Sequence, residues 1–131
     1  MLKTARPETK IIAVEPEEAS LLAGSEWSPH KIQGWTPDFI PSVLNRDIVD
    51  ELMTVSGDES IATAHKLAQK EGIFVGISAG ATLAAGLRVA EQAAPGSVVL
   101  VMLPDTGERY LSTPLCADLE EGSDDAWLES L

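Results

Sequence analysis

The sequence predicts an α/β fold built on a mostly parallel sheet with flanking helices. Three observations carry that expectation. Continuous apolar runs, as in IIAV, IFV and VVLVML, alternate with segments of helical periodicity. No hairpin signal joins any two of the runs. Two turns, Gly76 to Gly80 and Pro104 to Gly107, fall at the carboxyl ends of expected strands, where parallel sheets bind ligands.

The elements follow in order. Met1 to Arg6 reads as the end of a helix, and Pro7 to Lys10 as a turn. Ile11 to Val14 is expected to be a strand buried on both faces, ending at Glu15-Pro16. Glu17 to Ala23 should be a short helix closed by Gly24. Ser25 to Val43 holds Trp27, Trp35, Phe39 and three prolines with little periodicity, and irregular segments of that length are usually functional or interfacial. Asn45 to Asp50 suits a helical turn, and Glu51 to Val55 a strand. Ser56-Gly57-Asp58-Glu59 fits a capping box ahead of a helix whose apolar face holds Ile61, Ala64, Leu67 and Ala68, with Gly72 ending it. Ile73 to Val75 is an expected strand. Gly76-Ile77-Ser78-Ala79-Gly80 then turns into a helix from Ala81 to about Ala93, closed at Pro95-Gly96. Ser97 to Leu103 is the most apolar expected strand, and a short helix is expected from Glu108 to Ser112.

The bulk properties narrow the function. A chain of 131 residues suits one domain. Its net charge of -12 repels phosphate backbones and anionic lipid, so neither nucleic acid nor membrane is an expected partner. Six acids and no base lie between Ala117 and Leu131. That block is expected to be a solvated tail, although Trp127, Leu128 and Leu131 could dock it onto a neighbour. Cys116 is the only cysteine, so no internal disulfide can form. The polar start MLKTARPETK and the lack of a long apolar run lead to a cytoplasmic expectation.

Gly76-Ile77-Ser78-Ala79-Gly80 matches G-x-S-x-G between a strand and a helix, the context of a hydrolase nucleophile. That chemistry needs an acid and then a histidine later in the chain. His30 and His65 both precede Ser78, so the triad order fails. A plain glycine turn with Ser78 as helix N-cap and a ligand site beside a small hydroxyl both remain open. His30 suits a loop hydrogen bond, and His65 a packing or solvent-facing role. Two separated histidines and one cysteine form no metal site of known spacing. Asp105 could be an acid catalyst or a turn former.

Three segments, HKIQGWTPDFIPSVLN, EGIFVGISAGATLAAGL and MLPDTGERYLST, together resemble the cysteine synthase (O-acetylserine sulfhydrylase) and cystathionine β-synthase family of fold type II pyridoxal-phosphate enzymes. The resemblance runs from about Met1 to Ala117, with Trp35-Thr36-Pro37-Asp38 replacing smaller residues. It implies pyridoxal 5′-phosphate as cofactor and part of the larger lobe as the fold. Residues 1–116 would be an incomplete C-terminal cofactor-binding domain and 117–131 an acidic tail. Ser78 would meet the pyridine nitrogen, with Gly76, Pro104 and Asp105 beside the ring. Gln33 and Gly34 would line the substrate entrance. The implied reaction is β-replacement, in which O-acetylserine and sulfide give cysteine and acetate.

The resemblance also implies what this chain lacks. The family's Schiff-base lysine, phosphate loop and carboxylate-gripping loop match no segment here, and Lys3, Lys10, Lys31, Lys66 and Lys70 stand outside the lysine motif. The chain is therefore expected to be inactive alone, and to partner the missing N-terminal part or form a homo-oligomer. Cut from its sheet, it should expose apolar strand edges. A non-catalytic interaction or regulatory module derived from such an enzyme is the alternative.

Overall fold

Two strands pair in the computed structural model, which describes residues 1–119, 122 and 124–129. Strand β1 (Ile12–Pro16) runs parallel to β2 (Glu51–Val55), with Ile12 opposite Glu51 and Pro16 opposite Val55. Helix α1 (Leu2–Ala5) precedes them and is tied to the start of β2 by Lys3, whose ammonium meets Asp50 at 2.6 Å. The order then continues through α2 (Gly57–Glu71), α3 (Ile77–Gln92) and a short α4 (Asp124–Glu129). The parallel arrangement and flanking helices agree with the fold class expected from the sequence.

A parallel pair needs a crossover, and a helix is the usual one. Here the crossover is irregular apart from two 3-10 turns at Glu17–Ala19 and Arg46–Ile48. The helix expected over Glu17 to Ala23 stops at Ala19. The buried Glu15 carboxylate accepts from the N–H groups of Leu22 (2.8 Å) and Ala23 (3.2 Å), donors that a continuing helix would need. Those bonds also satisfy a charge that burial would otherwise penalise. β1 differs from expectation as well. Ile12, Ala13 and Val14 are only half-buried, because β1 has a strand on one side and a groove against Ala13 and Val14.

The capping box at α2 is half-formed. Ser56 Oγ accepts from the Glu59 N–H at 3.2 Å, but the Glu59 carboxylate pairs with Arg88 of α3 rather than reaching back. Gly72 closes α2 in the left-handed conformation, as expected. Helix α3 begins earlier than the sequence suggests, at Ile77. Gly80 N–H already bonds the Gly76 carbonyl (3.2 Å), so Gly76 is the cap and Ser78 lies inside the first turn.

Two expected strands form no ladder. Val75 makes a single antiparallel bridge to Thr106, and residues 97–103 pair with no strand among the described residues. Exposure along that segment nevertheless alternates as in a strand. Val98, Leu100 and Met102 are 94%, 91% and 71% exposed, while Val99 and Leu103 are each 37%. A ladder requires a neighbour, and β propensity alone cannot supply one. Among the described residues no helix is long and apolar enough to cross a membrane. The docking role expected of the Trp127 side chain and Leu131 lies outside the described residues; Leu128 is exposed.

The core gathers Ile32, Val55, Val75, Ile77 and Leu115 around the small residues where α2 meets α3. A Cβ on Gly80 would fall within the radius of the Ser60 carbonyl oxygen and 3.0 Å from Ala64 Cβ. Gly80→Ala would gain up to about 1 kcal/mol in helix propensity. Overpacking costs roughly 1–3 kcal/mol, and a backbone obstacle cannot rotate away. The expected outcome is a net loss of about 2 kcal/mol, read as a lower urea midpoint at unchanged slope.

Candidate functional site

The two turns singled out in the sequence meet at the start of α3. The Val75–Thr106 bridge aligns them. Gly76 donates its N–H to the Asp105 carbonyl (3.1 Å), and Gly107 donates to the Phe74 carbonyl (3.1 Å). The approach is close enough that a Cβ on Gly76 would lie 2.5 Å from Tyr110 Cε2, and one on Gly107 2.5 Å from the Phe74 ring. Glycine is needed at both positions for contact rather than for backbone freedom.

Ser78 lies two residues into this turn and is 4% exposed. Its carbonyl accepts from Thr82 Oγ1 at 3.3 Å, while its hydroxyl bonds to no described residue. The first turn of α3 contains no acid. The free N–H groups and dipole of the helix make that end partly positive. A neutral hydroxyl in such a place can donate to a neutral aromatic nitrogen and, unlike a carboxylate, brings no negative charge to hold that nitrogen protonated.

Asp105 is engaged by its own turn. Tyr110 donates its hydroxyl to Asp105 Oδ2 (2.7 Å), and Arg109 Nε stands 3.9 Å from Oδ1. The hydrogen bond to Asp105, then burial, raises the Tyr110 phenol above its ordinary value of 10.0. Pro104, immediately before it, is exposed. Of the residues anticipated from the sequence, Gly76, Ser78 and Asp105 are thus brought together. Gln33 and Gly34 are not joined to them by any hydrogen bond among the described residues. They follow Ile32, which is fully buried in the same core cluster as Ile77. Gly34 then lines an open groove of about 370 Å³ with Val14, Leu22, Trp35, Phe39 and Leu44. The loop is clamped by Trp27, whose indole donates to the Thr36 carbonyl at 3.0 Å, and Thr36 has a positive φ of 35°.

Sequence reasoning missed Tyr110, although it stands in one of the informative segments. The available signal was a lone tyrosine close behind a Pro-Asp-Thr-Gly turn. It also missed that His65 reaches the Leu115 carbonyl through Nε2, whereas His30 makes the loop contact expected of it, its Nε2 3.3 Å from the Thr36 carbonyl.

An unengaged hydroxyl at a helix start, beside two turns that meet there, makes this edge of an α/β protein the candidate ligand site. The profile of the family described as pyridoxal-phosphate dependent enzyme matches residues 1–105, and the chain belongs to that family. It is 56% identical over its whole length to the O-ureido-L-serine synthase of Streptomyces lavendulae, covering 40% of that protein. It is 43% identical over 115 residues to a cysteine synthase of Staphylococcus aureus, covering 88% of this chain and 37% of that one. Among solved structures, an O-ureido-L-serine synthase superposes with a TM-score of 0.91 at 56% identity, over 98% of this chain and 41% of the other. A cysteine synthase of Entamoeba histolytica gives 0.85 at 39% identity, over 98% and 38%. The chain therefore spans about two-fifths of the length of these relatives.

Tyr110 is the only tyrosine, so phenolate absorbance reads it alone. Its midpoint is expected above 10, and Asp105→Asn should lower it. The raised value makes its contribution to stability complete below the unfolded value near 10 and lost as pH climbs through the folded one. An ordinary midpoint in the wild type would refute the Tyr110–Asp105 contact.

Proposed function

We propose that this chain supplies the ring side of the site in a pyridoxal-phosphate β-replacement enzyme. The observation that carries the reading is the Ser78 hydroxyl, unengaged on a nearly buried residue and without an acid in its helical turn. It fits the pyridine end of the cofactor, donating a hydrogen bond to a nitrogen that the positive helix end keeps neutral. Gly76, Pro104 and Asp105 form the turn beside the ring, and Gln33 and Gly34 line the approach of substrate. When bound, the cofactor supplies the electron sink that lets a leaving group depart from a substrate's β-carbon. The role of Ser78 is to moderate that sink, because a neutral donor holds no full positive charge on the ring and favours prompt elimination over transamination.

Residues 1–116 form the cofactor-facing part in this reading, and 117–131 an acidic tail. None of the lysines is placed to serve as a covalent anchor. Lys3, Lys10 and Lys31 pair with Asp50, Glu51 and Asp58, while Lys66 and Lys70 are exposed on α2. The anchor and the phosphate loop would come from the further length that the relatives possess, and the open row at Val98, Leu100 and Met102 is consistent with apolar cover from such a part.

The substrate pair we favour is O-acetylserine and sulfide, giving cysteine and acetate, in keeping with the cysteine synthase relatives. A second reading has a specific basis. The higher identity, 56% over the whole chain, is to an O-ureido-L-serine synthase, whose product carries oxygen on the β-carbon of serine. Hydroxyurea would then replace sulfide as nucleophile. Supplying each nucleophile separately to the protein completed by the relatives' remaining part, and identifying the product by mass, decides between them.

Two outcomes are expected. The 131-residue chain alone should form no cysteine from O-acetylserine and sulfide, and clear sulfide-dependent product would refute the division of labour. In the completed protein, Ser78→Asp should slow β-elimination by about tenfold or more and alter the cofactor's visible spectrum, because a carboxylate would hold the ring nitrogen protonated. An unchanged rate and spectrum would remove Ser78 from the ring nitrogen.

A further inference from the structure

Tyr110 sits outside every role assigned so far, yet it takes part in a circuit of three contacts. Its hydroxyl donates to Asp105 Oδ2 at 2.7 Å. The Asp105 carbonyl accepts the Gly76 N–H at 3.1 Å. The Tyr110 ring lies where a side chain on Gly76 would have to go, 2.5 Å from the Cβ position. Tyr110 to Asp105, Asp105 to Gly76, and Gly76 back to the Tyr110 ring make a closed circuit. It encloses the turn from which α3 starts, two residues before Ser78.

We propose that Tyr110 is a positioning residue that, by bonding Asp105 and packing on Gly76, fixes the turn from which Ser78 presents its hydroxyl to the cofactor's ring nitrogen. This rests on the ring site proposed above. The physical need is specific. Ser78 has one donor and no other partner among the described residues, so nothing in its own bonding sets its direction. Its placement comes from the backbone on either side. On the α3 side, Gly80 is seated against Ser60 and Ala64 of α2. On the other side the Val75–Thr106 bridge and Gly107 against Phe74 align the two segments, and the circuit through Tyr110 holds Gly76 itself. Arg109 is a weak substitute, since its side chain is 76% exposed at 3.9 Å from Asp105 and water screens such a pair. Small misplacements of a group that meets a reacting ring are costly, so a latch two residues away has leverage on the chemistry without touching it.

The test uses the protein completed by the relatives' remaining part, which supplies the anchor and phosphate loop that this chain lacks, and has two readouts. Tyr110→Phe keeps the ring against Gly76 and removes only the hydroxyl, so folding should survive. Amide hydrogen exchange at Gly76 is expected to accelerate about tenfold in this variant, while the Gly72 amide at the end of α2 stays as in the wild type. In parallel, pyridoxal 5′-phosphate is titrated while the Ser78 amide resonance is followed. The wild type should show a shift that weakens several-fold in Tyr110→Phe. Unchanged exchange at Gly76 would overturn the latch, and equal acceleration at Gly72 would reduce Tyr110 to general stability. Faster exchange at Gly76 with an undiminished Ser78 response would also overturn the positioning role. If the wild-type Ser78 resonance ignores the cofactor, the ring site itself is wrong and the positioning role falls with it. The exchange data then show separately whether the circuit exists.

Discussion

The close approach of α3 to α2 is the constraint on which the rest of the structure depends. Gly80 has no room for a side chain because the Ser60 carbonyl occupies it, and Ala64 fills the space beside it. The helices can meet at this distance only with small residues along the seam, which is why Ser60, Ala64, Ala81, Ala84 and Ala85 are all buried there. The seam fixes the axis of α3 from one side. The turn of Gly76 against Tyr110 and Asp105 fixes its start from the other. Ser78 lies between these two restraints, so its position follows from packing rather than from a bond of its own.

Polar contacts add direction to that packing. Arg88 joins three elements, donating to the Thr54 carbonyl of β2 at 2.9 Å and pairing with Glu59 of α2. Glu18 accepts from the Gly57 N–H at 3.1 Å, placing a carboxylate at the positive end of α2. The pair of Lys31 with Asp58 is open to solvent and adds little to stability, but it ties the loop after His30 to the same helix end. The irregular crossover is therefore pinned at its middle by Ile32 and Lys31, and at its start by Glu15.

The helices were legible because their signals are local. Ser56, Gly72 and the spacing of Ile61, Ala64 and Leu67 mark α2 within its own residues, and β2 was found at Glu51 to Val55 for a similar reason. Residues 73–75 and 97–103 were misjudged because a strand is a relation between segments. Their apolar character was read correctly, but a ladder partner is not written in either one. The start of α3 was misplaced by four residues because Gly76-Ile77-Ser78-Ala79-Gly80 looks like a turn, while packing against Ser60 continues it as helix. For the site, Gly76, Ser78 and Asp105 could be named from motifs, and the structure brings them together. Tyr110 could not, since its importance arises only when its ring meets a glycine thirty-four positions earlier.

The apolar segment ending at Leu103 also has a thermodynamic meaning. Val98 and Leu100 remain almost fully hydrated in the folded chain, and Met102 largely so. Their hydration is common to folded and unfolded states, so they contribute almost nothing to the heat capacity of unfolding. Any event that covers them removes ordered water and carries a negative heat-capacity change. Calorimetry over a range of temperatures would register that row as an association enthalpy growing more negative on warming, even where the enthalpy at a single temperature is near zero.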